Sequence, residues 1–261
     1  MVIHNGKKLK LGLALGSGGA KGAALIGALT VFEEENVKFD CVSGTSIGSV
    51  VGALYAQGYS AYDITNLIAE IGIRDPRMLL FTAVSVRSLK EGLTRLFGGA
   101  EFSDLKKPFC AVATNLDTGE EVDINSGDLA SAVAGSCAIQ PVFRAVMRDG
   151  KRLVDGAFVN SVPADQVKNF GADFIVSINL AKGKNDNGEI KRILDDIYPG
   201  NGVKFGVRNK PCYEYSDVVI EPELSRFTAS SITAFDEMYI AGYNAAKEKI
   251  TEIKQFINNE R

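Results

Sequence analysis

Near its N-terminal end this chain runs twice through one plan: a short apolar strand, a turn containing glycine, then a helix of small and apolar residues. Lys10 to Leu15 predicts a buried strand that enters the turn Gly16-Ser17-Gly18-Gly19. Lys21 to Glu35 then carries Leu25, Ala28, Leu29 and Phe32 at helical spacing and closes on an acidic end. Phe39 to Ser43 predicts a second strand, broken by Gly44, and Ile47 to Gln57 a helix buried on most faces. Strands joined through helices run parallel, and a parallel sheet is stable when helices cover both its faces. The expectation is an α/β fold of three layers, α/β/α, with a mainly parallel central sheet.

The rest of the chain extends this plan. Phe109 to Asn115 predicts a strand, with Glu121 to Ile124 pairing with it across Asp117-Thr118-Gly119. Asp128 suits the N-cap of a helix through Ala138, ended by Pro141. Ala145 to Arg148 and Lys151 to Val154 flank Asp149-Gly150, a two-residue hairpin signal. Phe174 to Asn179 and Val218 to Ile220 complete the strands. A last helix, about 233–258, shows a stripe of Phe235, Tyr239, Gly242, Ala246, Ile250, Ile253 and Ile257 that predicts core packing. Lys182 to Lys210 is polar and glycine-containing, which predicts a loop with a short helix near Ile190 to Ile197. No repeat or linker divides the chain. Residues 1–261 are expected as one domain, with a core of about 9–180.

Chemistry is concentrated in the two glycine turns. Gly44-Thr45-Ser46-Ile47-Gly48 is the one Gly-x-Ser-x-Gly of the chain and has the form of a nucleophile elbow, a serine on a sharp strand-to-helix turn. The usual base for such a serine is a histidine later in the chain. Here the one histidine is His4, ahead of the first predicted strand. A nucleophilic Ser46 therefore needs a base of another type. Asp155 stands out among the carboxylates, because it ends a hairpin strand and is followed by Gly156-Ala157, small residues that let another loop approach. The same position also suits a turn aspartate bonded only to its own backbone. Ser103-Asp104-Leu105-Lys106 offers a lysine base in an SxxK pattern, although the accompanying KTG and SDN patterns are absent.

The first turn fails two nucleotide-binding patterns by one residue each. Lys21 occupies the last glycine of GxGxxG; in a P-loop beginning at Gly16 it again occupies a glycine position. Consecutive glycines ahead of a helix do expose backbone N–H groups in a positively polarised concavity, which suits an oxyanion as well as a plain tight turn.

Composition removes several classes. A net charge of −3 and a pI near 5.4 give no basis for nucleic-acid binding. Cys41, Cys110, Cys137 and Cys212 form no CxxC pair and read as reduced residues, not a disulfide framework. The N-terminus lacks the features of a signal peptide, and no run approaches the ~18 apolar residues of a membrane span. A reduced, cytoplasmic, soluble protein without metal or cofactor is the expectation.

In combination, the motifs resemble the patatin-like phospholipase family in its compact bacterial form. The resemblance rests on Gly16-Ser17-Gly18-Gly19-Ala20-Lys21-Gly22, Gly44-Thr45-Ser46-Ile47-Gly48 and Asp155-Gly156-Ala157, in that order. Weaker echoes lie at Ser136 to Phe143, Asn160 to Pro163 and Gly171-Ala172-Asp173, so it covers about Leu11 to Asn179. Two departures stand out: Ser17 where many members have glycine, and a displaced Pro141 preceded by Gln140.

The resemblance implies a patatin-like fold and a Ser46–Asp155 dyad acting through an acyl-enzyme. The N–H groups of Gly18 and Gly19 would hold the oxyanion, supported by Gly16, Ser17, Lys21 and Gly22, with Lys21 orienting the loop or facing an anionic headgroup. Gly44, Thr45, Ile47 and Gly48 would form the elbow. The implied substrate is a lipid or other ester, hydrolysed as by a phospholipase A or lysophospholipase. An acyltransferase on the same dyad and a non-catalytic lipid-binding module are the rivals.

Residues 74–97 combine apolar positions with Arg74, Arg77, Arg87, Lys90 and Arg95 against only Asp75 and Glu91. Two readings stand for this segment: a lid that makes peripheral contact with an anionic membrane, or a helical pair covering the core.

Overall fold

Burial along the strands sorts the helices between the two faces of one sheet. The computed structural model describes residues 2–4, 7–74, 85–139, 144–181 and 212–259. Strands β1 (Val2–His4) and β2 (Lys7–Leu9) form an antiparallel pair apart from the main sheet, so His4 lies in a strand of its own ladder. The main sheet uses β3 (Leu11–Leu15), β4 (Cys41–Thr45), β5 (Phe109–Asn115), β6 (Glu121–Ile124), β7 (Val146–Arg148), β8 (Lys151–Asp155), β9 (Phe174–Ile178) and β10 (Val218–Ile220). Its order is β10-β9-β3-β4-β5-β8-β7, with β6 also on β5. β10, β9, β3, β4 and β5 are mutually parallel, whereas β6, β7 and β8 pair antiparallel.

On one face Leu11, Leu13, Leu15, Val42, Ala111, Val176 and Ile178 enter the main core. That core is closed by α1 (Ala23–Glu34), α2 (Ile47–Gln57), α3 (Ala61–Arg74), α4 (Val86–Phe97), α5 (Leu129–Ser136) and the long α8 (Phe235–Asn259). The opposite face presents Ala14, Cys41 and Ile175 to Val162 and to α6 (Ala164–Asn169), with Cys212 of the short α7 (Cys212–Tyr215). α1 and α8 cross so closely that a Cβ at Gly242 would lie 1.9 Å from the Ala24 carbonyl oxygen. The glycine in the predicted apolar stripe is thus a crossing point. The remaining stripe residues pack on the core, as expected from their spacing.

Several boundaries differ from the sequence expectation for identifiable reasons. β4 runs through Gly44 to Thr45, because the glycine marks a close crossing with α2 and not the end of pairing. A 3₁₀ turn over Gly19–Gly22 precedes α1, and another over Ile232–Ala234 precedes α8. Asp128 does cap α5, its side chain accepting from the Ser131 N–H at 2.8 Å. That helix stops at Ser136, short of Ala138, whose carbonyl is taken by the Asp155 N–H at 3.0 Å. Asp149 (φ 49°) and Gly150 (φ 75°) form the expected hairpin turn between β7 and β8. Pro141, Lys182 to Lys210 with the short helix expected near Ile190 to Ile197, and residues 75–84 lie outside the described residues.

Candidate active site

Strand β5 acts as a shared template. Thr45 at the end of β4 pairs with Val112, and Asp155 at the end of β8 pairs with the next residue, Ala113. β6 overlaps both partners on β5, so it occupies the other edge, and β4 and β8 abut along the same one. The residue following Thr45 is Ser46. Its hydroxyl donates to Asp155 Oδ2 at 2.7 Å, across 109 positions of sequence.

Ser46 adopts φ 54°, ψ −125°, a conformation that costs a non-glycine residue on the order of 1–3 kcal/mol and persists only when its surroundings hold it. The anchors are visible. The Ser46 N–H donates to Ser136 Oγ at 2.9 Å, and Ser136 Oγ donates to the Val112 carbonyl at 2.6 Å. The Ser46 carbonyl accepts from Ser49 Oγ at 2.6 Å and from the Ser49 N–H at 2.8 Å. The flanking glycines are required sterically: a Cβ on Gly44 would sit 2.2 Å from the Gly48 carbonyl oxygen, and one on Gly48 would sit 2.2 Å from that of Leu15. Thr45 Oγ1 donates to the Asn160 carbonyl, tying the elbow to the segment after Asp155.

Asp155 is 2 % exposed. Burial pushes its carboxyl up to about 6, against the opposing effect of hydrogen bonds from Ser46 and from the Ala157 N–H. A carboxylate so placed is a stronger base than one in water. Burial also raises the Cys137 thiol, and the Asp155 charge adds to that effect, so the sulfur beside Ser49 stays protonated.

The glycine turn after β3 faces the elbow. Gly16 donates to the Ile178 carbonyl at 3.0 Å, Ser17 to the Ser161 carbonyl at 3.0 Å, Ala20 to the Ala229 carbonyl at 2.8 Å and Lys21 to the Gly18 carbonyl at 3.2 Å. Among the described residues the N–H groups of Gly18 and Gly19 take no part in these bonds. Gly19 has φ 57°, and a Cβ there would meet the Ala229 carbonyl oxygen at 2.6 Å. Ser17 Oγ and Ser161 Oγ are 2.6 Å apart, a second tie to the Asp155 side. Gly22 lets Ile47 pack against the start of α1.

A cavity of about 390 Å³ begins where these parts meet, with Gly19, Gly22 and Ile47 in its wall and Ala23, Ile26, Val50, Leu93 and Leu96 beyond. Among the described residues no group of His, Cys, Asp and Glu side chains is arranged to hold a metal ion.

Ser103 and Lys106 are exposed and precede β5, at the opposite end of the parallel strands from the elbow. Ser136, Ser161 and Cys137 are the site's neighbours that single-residue reasoning does not find. They are ordinary small residues whose roles arise only from what lies across from them.

A model of the patatin-like phospholipase family matches residues 13–168, a span that holds the glycine turn, Ser46 and Asp155. The chain belongs to this family. Among curated relatives, neuropathy target esterase sws of Drosophila melanogaster is 29 % identical over 198 residues, covering 72 % of this patatin-like chain and 14 % of the relative. Lysophospholipase NTE1 of Pyricularia oryzae is 28 % identical over 185 residues, covering 67 % and 12 %. This chain therefore matches only about an eighth of the length of those relatives. VipD of Legionella pneumophila has the same fold, with a TM-score of 0.62 at 15 % identity over 94 % of this chain and 67 % of VipD.

Proposed function

We propose that this patatin-like chain hydrolyses lipid carboxylic esters through Ser46 and Asp155. The observation that carries the reading is the 2.7 Å hydrogen bond from the strained, buried Ser46 to a buried carboxylate, beside a turn with two N–H groups left to bind an oxyanion. Patatin-like phospholipases are lipid ester hydrolases, and the relatives include an esterase and a lysophospholipase.

Ser46 Oγ attacks the ester carbonyl carbon while Asp155 takes its proton. The carbonyl oxygen becomes negative facing Gly18 and Gly19, and the N-terminus of α2 adds favourable potential at Ser46. Collapse breaks the carbon–alkoxide bond, and the proton on Asp155 leaves with the alcohol. Water then adds to the acyl carbon as Asp155 takes its proton; the bond from that carbon to Ser46 Oγ breaks, Asp155 returns the proton to Ser46, and the fatty acid departs. The largely apolar cavity holds the acyl chain.

Peripheral membrane contact through residues 74–97 belongs to the same proposal. Leu89, Leu93, Leu96 and Phe97 of α4 are buried, so this half of the segment covers the core. Arg87, Lys90 and Arg95 face outward, Arg87 paired with Glu91 at 2.9 Å and Lys90 with Asp128 at 3.2 Å, and are the basic groups that would meet an anionic bilayer. Among the described residues no helix is long and apolar enough to cross a membrane.

The test is a panel of phospholipids, lysophospholipids and simple esters, comparing wild type with Ser46→Ala, with fluorophosphonate labelling located by mass spectrometry. Labelling at Ser46 and loss of all turnover in the variant are expected. Turnover retained by Ser46→Ala would remove the dyad. Adding glycerol as acceptor separates hydrolysis from acyl transfer.

A further inference from the structure

Of the three glycines that line the cavity among the described residues, Gly92 is the one inside an α-helix. Of the lining residues, Ile232 and Phe235 are half-buried and Ala69 and Asp236 are exposed, whereas Ile26, Val50, Gly92 and Leu93 are buried. Gly92 lies in the interior of α4, where glycine is less favourable than alanine because the unfolded backbone has more freedom to lose. The helix is otherwise well specified. Ser85 caps its start by accepting from the Ser88 N–H, and Gly98 ends it at φ 66°. Helix formation therefore gives no reason for Gly92. The cavity does: Gly92 and Leu96, four positions apart, share a face and both line it, and at 92 no side chain adds to the wall.

We propose that Gly92 sets the length of acyl chain this cavity admits, an inference that rests on the acyl-hydrolase reading above. An apolar protein cavity of about 150 Å³ takes benzene. By the same measure the cavity of about 390 Å³ takes a chain of roughly fifteen carbons. Gly92→Leu would fill about four carbons' worth of that space and move the preferred chain to roughly eleven. Thr65, a polar residue of the wall, spends its hydroxyl on the Ala61 carbonyl at 2.9 Å and does not demand a polar ligand.

The experiment measures kcat/KM on esters of four to sixteen carbons for wild type, Gly92→Ala and Gly92→Leu, with thermal unfolding of each. Gly92→Ala should unfold at a higher temperature than wild type, since a helical glycine is replaced, while its C16-to-C8 ratio falls. Gly92→Leu should lower that ratio at least tenfold. A second measurement needs no turnover: the shift in unfolding temperature caused by palmitate and by decanoate. Palmitate should lose its effect on Gly92→Leu, and decanoate should keep it. A folded Gly92→Leu with the wild-type ratio and the wild-type palmitate shift would overturn the inference. Should Gly92→Leu not fold, the same two readouts on Gly92→Ala decide. If wild type hydrolyses no ester and Ser46 takes no label, the hydrolase reading fails by itself, and the fatty-acid shifts still decide the role of Gly92.

Discussion

The Ser46–Asp155 pair and the cavity beside it are held by different forces, although Ile47 follows Ser46 directly and lines the cavity. Around Ser46 and Asp155 the hold is directional. The serine N–H, carbonyl and hydroxyl, and both carboxylate oxygens, each have a bonded partner at 2.6–2.9 Å. The buried side-chain N and O atoms without a hydrogen-bond partner among the described residues, Gln57 Oε1, Arg148 Nε and Asn160 Oδ1, belong to neither residue. The cavity wall instead comes mainly from apolar side chains of several helices, held by non-directional packing. A change of one atom type in the first region removes a specific bond; a change of volume in the second shifts what fits. Under the proposed function, chemistry and substrate choice can therefore vary separately.

The sharpest way to break this contrast is Asp155→Asn. An amide cannot accept the serine proton, so kcat/KM should fall by about 10²–10⁴ or more. Activity near wild type would show that the 2.7 Å bond is structural only. In wild type, kcat/KM should climb as pH rises through about 6, as the carboxyl ionises.

The same variant sharpens the comparison on stability. Asp155 has its pKa raised by burial from 3.8 to about 6, so the fold favours the protonated form. Its contribution is fully present below the unfolded value and is lost as pH rises through about 6. At pH 8 the buried charge costs on the order of 3 kcal/mol, which Asp155→Asn removes. Thermal unfolding should show the variant more stable than wild type at pH 8, with the gain shrinking between pH 6 and 4. An equal gain at both ends would assign the effect to packing.

Ser136→Ala tests the support beneath the elbow. It leaves the Ser46 N–H without its partner in a buried position, a cost of about 1–3 kcal/mol. Turnover should fall about tenfold or more as the strained serine relaxes, whereas the chain-length profile should not move. A changed profile would mean that the two regions are coupled.

The smallest effect is expected at the surface. Reversing Arg87 and Arg95 to Glu should weaken sedimentation with anionic vesicles by about 1 kcal/mol per residue at low salt, and less at high salt. Equal binding by both proteins at low salt would leave α4 as core covering alone.

What the sequence by itself determined was local. The two strand–turn–helix units are legible because apolar periodicity and glycine sterics act over a few residues, and the absence of a late histidine pointed away from the common triad. Asp149-Gly150 and the Asp128 cap belong to the same class, since their bonds close within one turn. The tertiary structure decided what spans distance. Ser46 meets Asp155 because β4 and β8 end side by side along one edge of β5, a fact of pairing that neither segment encodes alone. Ser136 becomes an anchor only when α5 stops under the elbow, and Gly92 acquires a neighbouring void only when five helices leave one between them. Local sterics are written in consecutive residues, whereas an edge shared by distant strands and a space left between helices exist only once the sheet has formed.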